Sequence, residues 1–186
     1  MSGILRRQGG LGYKKMVYRR RRILLSEIDR QCRFAMIAYG DASAALERRD
    51  AERCWYSLQA LLAAAMQLHG LLWPSAGPSL AWAVELRSAL DVTDDSPLNQ
   101  PQLVSALDPA STLESWTALH PRHKPLPASL DYSGLADAAE CVRCFDPEIG
   151  AFTLFGSVVE LPSLLNSIAE LAQKTELESQ HLRELV

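Results

Sequence analysis

Residues 50–74, DAERCWYSLQALLAAAMQLHGLLWP, predict one long amphipathic helix with a defined start and a defined end. Asp50 is a suitable N-cap, because its carboxylate can accept hydrogen bonds from the free amides of the first turn. Pro74 cannot continue a helix and therefore sets the end. Apolar residues recur between them at three- and four-residue steps, which places them on one face: Trp55, Leu58, Leu61, Leu62, Ala65, Met66, His69, Leu72 and Trp73.

A second long helix is predicted directly before this one, from about Leu24 to Arg49. Because the break between the two helices is so short, they should form an antiparallel hairpin. The same helical period runs through the first helix and predicts its buried face: Ile28, Cys32, Ala35, Tyr39, Ala42 and Leu46.

The rest of the chain predicts shorter elements. Ser79 can cap a helix over 80–90, and residues 101–120 are helical in pattern but interrupted by Pro109. The alternating segments CVRCF and AFTLF, around the turn PEIG, predict a β-hairpin near 141–156. A last helix runs from Leu161 to about Glu178. The predicted fold is mainly α, a bundle of four or five helices with a small β-hairpin before the C-terminal helix.

Charge divides the chain into two regions. Eight of the 19 basic residues lie within residues 1–22, which contain no Asp or Glu; the other 11 share the rest of the chain with all 22 acidic residues, so that part carries −11. We interpret residues 1–21 as a flexible basic arm and residues 22–186 as a single domain. A polyanion such as RNA would be attracted by the arm and repelled by the body. The candidate residues for nucleic-acid or partner binding are Arg19, Arg20, Arg21 and Arg22.

The sequence also favours one cellular location. No apolar run approaches the roughly 20 residues that a membrane span requires. The basic N-terminus is not followed by the apolar segment of a secretory signal. We therefore expect a cytoplasmic protein without membrane contact.

Three segments resemble HEPN-type helical proteins, and more narrowly bacterial HEPN-like proteins of unassigned function. They are WYSLQALLAAAMQLHGLLWP at 55–74, DDSPL at 94–98, and RCFDPEIGAFTLFGSVVELPSLLNSIAEL at 143–171. The resemblance implies a four- or five-helix bundle that is commonly dimeric. Many HEPN proteins are metal-independent ribonucleases of toxin–antitoxin or phage-defence systems.

The nuclease motif of that family is absent from this sequence. In the family, an Arg is followed after four to six residues by a His; the Arg holds the scissile phosphate and the His transfers a proton. No arginine of this chain has a histidine at that spacing, and Val104, Ser105 and Pro109 stand where the motif would fall. Val cannot hold a phosphate and Pro cannot transfer a proton, so the resemblance supports the fold and argues against the nuclease.

Two histidines and two cysteines could together form a metal site. His120 and His123, followed by Cys141 and Cys144, have the residue types that bind zinc. In a strand, however, Cys141 and Cys144 would point to opposite faces, which favours cysteines packed at the core over a zinc site. Cys32 and Cys54 are likewise expected in the core, and His69 near the end of its helix is expected to favour the helix dipole over a catalytic role. No cofactor is expected.

Three hypotheses of function remain open. The first is a non-catalytic HEPN-like interaction protein, a homodimer that has a protein partner in a toxin–antitoxin or phage-defence context. The second is a ribonuclease with a rearranged active site, for which His120, Arg122 and His123 are the candidates. The third is a structural subunit of a larger assembly, with the basic arm binding its partner.

Overall fold

The structure, a computed structural model, describes residues 5–77, 79–100, 103, 114, 118, 143–147, 149–154 and 157–184, without the side chains of 5–15, 143, 144, 154 and 157. Four α-helices, one short 3₁₀ helix (Pro97–Asn99) and one three-stranded sheet lie within these residues. The helices are α1 (Leu5–Glu47), α2 (Ala51–Leu72), α3 (Ser79–Ala89) and α4 (Leu161–Glu184). The strands are β1 (Arg143–Asp146), β2 (Ala151–Leu154) and β3 (Ser157–Glu160). The prediction of a helical bundle with a small β element before the last helix is confirmed.

Helix α1 begins far earlier than the sequence pattern indicated. It was predicted to start near Leu24, but it is helical from Leu5, so residues 5–21 belong to the same helix. The physical reason is that lysine and arginine are good helix formers, and an apolar period is not needed once a long helix has nucleated. The mobility of residues 1–21 stays a prediction.

The buried face of α1 agrees with the predicted one at most positions. Ile28, Cys32, Ala35 and Ala42 are buried. Tyr39 is an exception, because it is exposed, while Ala38 and Ala45 occupy buried positions instead. Small residues thus dominate the C-terminal half of this face, and small side chains allow a neighbouring helix axis to come close.

The α1–α2 hairpin is closed by two capping structures. Asp50 is the N-cap of α2, as predicted, and its carboxylate accepts from the Arg53 amide at 3.0 Å. The end of α1 is a Schellman motif, in which the Asp50 amide donates to the Ala45 carbonyl at 2.9 Å and the Arg49 amide to that of Leu46 at 3.0 Å. Arg49 has φ 57°, the left-handed conformation that glycine usually supplies at this position.

Helix α2 buries the predicted face against this hairpin partner. Trp55, Leu58, Leu61, Leu62, Ala65, His69 and Leu72 are all buried, while Met66 and Trp73 are half-buried. The helix ends at Leu72, just before Pro74. In α3, Ser79 is the first helical residue, and its hydroxyl donates to the Ala76 carbonyl at 3.3 Å instead of capping the helix.

The β element has one strand more than predicted. β1, β2 and β3 form an antiparallel meander in which Phe145 lies opposite Phe152, and Phe152 opposite Val159. These three side chains are buried and form one row that faces the core. The predicted hairpin is therefore correct for β1 and β2 but incomplete, since SVVE at 157–160 also pairs.

Gly150 fixes the junction between the sheet and α4. It has φ +65°, and a Cβ atom placed there would lie 3.2 Å from Cδ of Pro162 in the first turn of α4. Its carbonyl accepts from the Leu161 amide at 3.0 Å. Only glycine combines this backbone conformation with so close an approach. The predicted core positions of α4, Leu164, Leu165, Ile168 and Leu171, are all buried.

One continuous core joins α1, α2, the sheet and α4. Within it, the Thr175 hydroxyl is buried without a hydrogen-bond partner. No helix in the described ranges combines the length and apolar character that a bilayer-spanning segment needs.

Replacing Arg49 with glycine is expected to stabilise the protein by about 1 kcal/mol, because it relieves the left-handed conformation of an exposed residue. The free energy of unfolding, measured by urea denaturation followed by circular dichroism, checks this. The neighbouring variant Arg48→Gly is the control, since Arg48 has no positive φ and glycine there should destabilise. A destabilised Arg49→Gly protein would contradict the Schellman geometry.

Replacing Thr175 with valine is also expected to stabilise the purified protein, by about 1 kcal/mol, because it removes a buried hydroxyl without a partner and keeps the side-chain shape. The same denaturation measurement applies, in buffer without phosphate. Thr175→Ser, which keeps the hydroxyl and loses the methyl group, should destabilise. The prediction fails if valine destabilises as much as serine.

Candidate functional site

The four arginines predicted to bind nucleic acid or a partner point in different directions. Successive residues of a helix are rotated by about 100°, so a run of four cannot share one face. Arg20 lies over the Trp82 ring, with its guanidinium carbon 4.6 Å from the ring centroid, and Arg21 pairs with Glu178 of α4 at 2.7 Å. Arg19, Arg20 and Arg22 are exposed. Two of the four thus contact α3 and α4, and three present their side chains to solvent.

The structure does not test the roles of the other predicted site residues. His120, Arg122, His123 and Cys141 lie outside the described residues, and the side chain of Cys144 in β1 is not described. The same holds for Val104, Ser105 and Pro109 of the position where a HEPN motif would fall. The ribonuclease and zinc alternatives stay predictions. Among the described residues, no three His, Cys, Asp or Glu side chains converge as metal ligands would.

His69 connects α2 to the loop after α3. Its Nδ1 lies 3.1 Å from the carbonyl oxygen of Leu98, and its ring stacks on Trp73 with centroids 5.6 Å apart. Since a carbonyl only accepts, Nδ1 carries the proton and donates. The histidine is thus bound in the core by the Leu98 loop, which gives it a structural role more specific than the predicted interaction with the helix dipole.

The acidic loop after α3 is held by hydrogen bonds from three sides. Asp94 accepts from the Trp73 indole at 2.8 Å and lies 3.6 Å from the Arg87 guanidinium. Lys174 of α4 donates to the Asp91 carbonyl at 2.7 Å. These contacts connect the loop to α2, α3 and α4.

The two cysteines of the hairpin are buried and free. Cys32 and Cys54 form no disulfide, as predicted. Burial raises the pKa of Cys32 to about 12, with a smaller contribution from the negative charge of Asp29. Burial also raises the pKa of Cys54, with Asp50 contributing in the same direction. Both thiols stay protonated at neutral pH, so neither has the thiolate that a nucleophile or redox sensor needs.

The outer face of α1 carries exposed apolar side chains in a row. Ile23, Phe34 and Ile37 are 60%, 52% and 63% exposed, and Met16 extends the row toward the N-terminus. At about 100° per residue, the four lie within about 60° of one another around the helix. We call Met16, Ile23, Phe34 and Ile37 the apolar strip. Single exposed apolar residues are ordinary, but an aligned row on a surface helix is typical of a protein contact.

Comparisons of the chain with protein-family models, with curated proteins and with solved structures gave no match. The case for a function therefore rests on the residues of this chain. Of the surfaces described, the apolar strip is the one that its residue types favour for binding another protein.

Cys32 should resist alkylation by iodoacetamide at pH 8.5 in the folded protein and react fully after denaturation, because its thiol is buried and protonated. Peptide mass spectrometry measures the modified fraction at this position. Rapid labelling of the folded protein at Cys32 would contradict the burial.

The same thiol gives a pH dependence of stability. Its pKa is raised in the folded state above the ordinary 9.0, so the protonated thiol contributes fully below pH 9 and this contribution is lost as pH rises to about 12. The free energy of unfolding should fall by about 1.4 kcal/mol per pH unit in that window from this group alone. The comparison is with Cys32→Ala, which should lack this part of the slope.

Proposed function

We propose that the protein is a non-catalytic, HEPN-like interaction protein that forms a homodimer through the apolar strip of α1. The observation that carries the proposal is the alignment of Ile23, Phe34 and Ile37, each more than half exposed, on one face of a long helix. Burying such side chains against a partner contributes about 1.5–3 kcal/mol each when burial is complete. The strip spans about 32 Å from Met16 to Ile37, at 1.5 Å per residue.

A second copy of the chain fits this strip when the two α1 helices run antiparallel. With the twofold axis beside Arg30, Ile23 of one copy lies at the level of Ile37 of the other. The same register brings Arg19 to the level of Asp41, so that the pairing is complementary in charge as well as apolar. Both residues are exposed.

Arg30 would meet its own copy at the axis, which is unfavourable for two bare charges. Within each chain, however, the Arg30 guanidinium lies 3.2 Å from the Glu27 carboxylate. The acid compensates the charge, so the repulsion at the axis is reduced and the apolar contacts on both sides determine the association.

The context of the proposal comes from the resemblance of segments 55–74, 94–98 and 143–171 to HEPN-like proteins. Dimers are common in that family, and the missing Arg-to-His spacing removes the residues of its nuclease. A role in a toxin–antitoxin or phage-defence system, with a further protein partner, is part of the same proposal. The helical bundle of α1, α2, α3 and α4 supports the fold that this proposal assumes.

The homodimer is tested by light scattering of the wild type and of Ile37→Asp across a range of concentrations. The wild type should have the dimer mass, and Ile37→Asp should have the monomer mass with an unchanged circular dichroism spectrum. Because Ile37 already lies in solvent, the charge should not disturb folding.

Leu177→Asp is the matched control. Leu177 is 65% exposed on α4, outside the strip, and this variant should keep the dimer mass. A wild type that stays monomeric, or an Ile37→Asp protein that stays dimeric, overturns the proposed interface.

Incubation with transfer RNA tests the absence of catalysis: cleavage that is lost in His120→Ala or His123→Ala would replace this proposal with the ribonuclease alternative.

A further inference from the structure

A polar groove runs between α1 and α4, beside the apolar strip. Its volume is about 480 Å³, and no part of the proposed dimer contact is needed to form it. We call it the α1–α4 groove. It is lined on the α1 side by Arg22, Ser26, Asp29 and Arg33, and on the α4 side by Thr175, Glu176, Ser179 and Arg183.

Helical spacing produces this lining. The α1 residues are separated by four, three and four positions, and Thr175, Ser179 and Arg183 by four each, so both sets lie along single faces. The helices run antiparallel, because Arg21 pairs with Glu178 while Ala42 and Leu46 share a small cavity with Leu161 and Leu165. This direction brings Ser26 to the level of Thr175 and Arg22 to the level of Ser179.

Thr175 is the strongest sign that the groove accepts a ligand. Its side chain is 0% exposed, and its Oγ1 atom has no hydrogen-bond partner although the residue lines the groove. A buried hydroxyl without a partner is costly and uncommon in folded proteins. Because the side chain has no exposed surface, an acceptor atom in the groove could reach this hydroxyl only if the side chains that cover it turned aside. Two further hydroxyls, of Ser26 and Ser179, line the same space.

The charges of the groove favour an anion. Three guanidinium groups face two carboxylates, so the lining carries a net charge of +1. The Asp29 carboxylate is already paired with Arg33 at 2.5 Å, which leaves Arg22 and Arg183 opposed only by Glu176 within the lining. Arg22 and Arg183 are both exposed, so their side chains can turn toward a bound group.

We propose that the α1–α4 groove binds the phosphate group of a small ligand. Arg22 and Arg183 supply paired N–H donors, which match phosphate oxygens better than any other side chain. The hydroxyls of Ser26, Thr175 and Ser179 donate to the remaining oxygens. Six of its eight lining residues lie away from the proposed dimer contact, whereas Arg22 and Ser26 also line a surface pocket with Ile23 of the apolar strip.

Isothermal titration calorimetry with inorganic phosphate, at constant ionic strength in chloride buffer, tests the proposal. Saturable binding of one phosphate per chain is expected. Arg22→Gln and Arg183→Gln should each weaken binding at least ten-fold, and Thr175→Val several-fold. Glu176→Gln removes the opposing carboxylate and should strengthen binding. Arg48→Gln is the matched control, since it removes an exposed arginine just after the C-terminal end of α1, outside the groove, and should leave the affinity unchanged.

Thr175→Val and Glu176→Gln keep the test decisive if an arginine variant folds poorly. The valine variant should be more stable without phosphate and gain less stability when phosphate is added. Phosphate binding that is absent in the wild type, or equal in wild type and Thr175→Val, overturns the proposal. Binding of an RNA oligonucleotide without binding of inorganic phosphate also overturns it. Ile37→Asp should bind phosphate as the wild type does, so failure of the dimer and failure of this site are distinguishable.

Discussion

The close antiparallel packing of α1 against α2 is the constraint on which the rest of the structure depends. The joint between them contains only residues 48–50, so the two helices must run side by side from the turn onward. Buried alanines line α1 at this contact, at positions 35, 38, 42 and 45, and α2 adds Ala64 and Ala65 to the same core. The Schellman motif at Arg49 and the Asp50 cap supply hydrogen-bond partners for the amides of Arg49, Asp50 and Arg53 at the turn.

This hairpin supplies the surface on which the smaller elements assemble. Trp55 of α2 packs against Phe152 of the sheet with ring centroids 5.4 Å apart, and Phe145 and Val159 extend the same row. The sheet in turn positions α4, because the Gly150 carbonyl binds the first amide of that helix. At the other end of α2, His69 fixes the Leu98 loop. Each contact orders a segment that is too short or too polar to fold independently.

The sequence was sufficient for the elements whose signals are local. The Asp50 cap, the Pro74 stop and the apolar periods of α2 and α4 each depend on neighbours within a few residues, and all were predicted correctly. Strand β3 was missed because SVVE is too short for a periodic signal and its pairing partner is β2. The arginine run was predicted to bind nucleic acid or a partner, but the sequence alone could not indicate that Arg20 and Arg21 contact α3 and α4 within the chain. The polar spacing of residues 22, 26, 29 and 33 was present in the sequence, but its meaning depends on the facing residues of α4, about 150 positions later.

Helix α1 therefore has three faces with different physical roles. One is buried on α2, one carries the apolar strip, and one forms a wall of the α1–α4 groove. Arg22 and Ser26 are turned by about 60–100° around the helix from Ile23. They also line a surface pocket with it, so the groove adjoins the strip along one edge. Electrostatics adds a weak link between the two, since a phosphate in the groove lowers the positive charge near Arg19 and Arg22 within a Debye length of about 8 Å. In the proposed dimer Arg19 faces Asp41 of the second copy, so a bound phosphate would weaken this attraction without any change of shape.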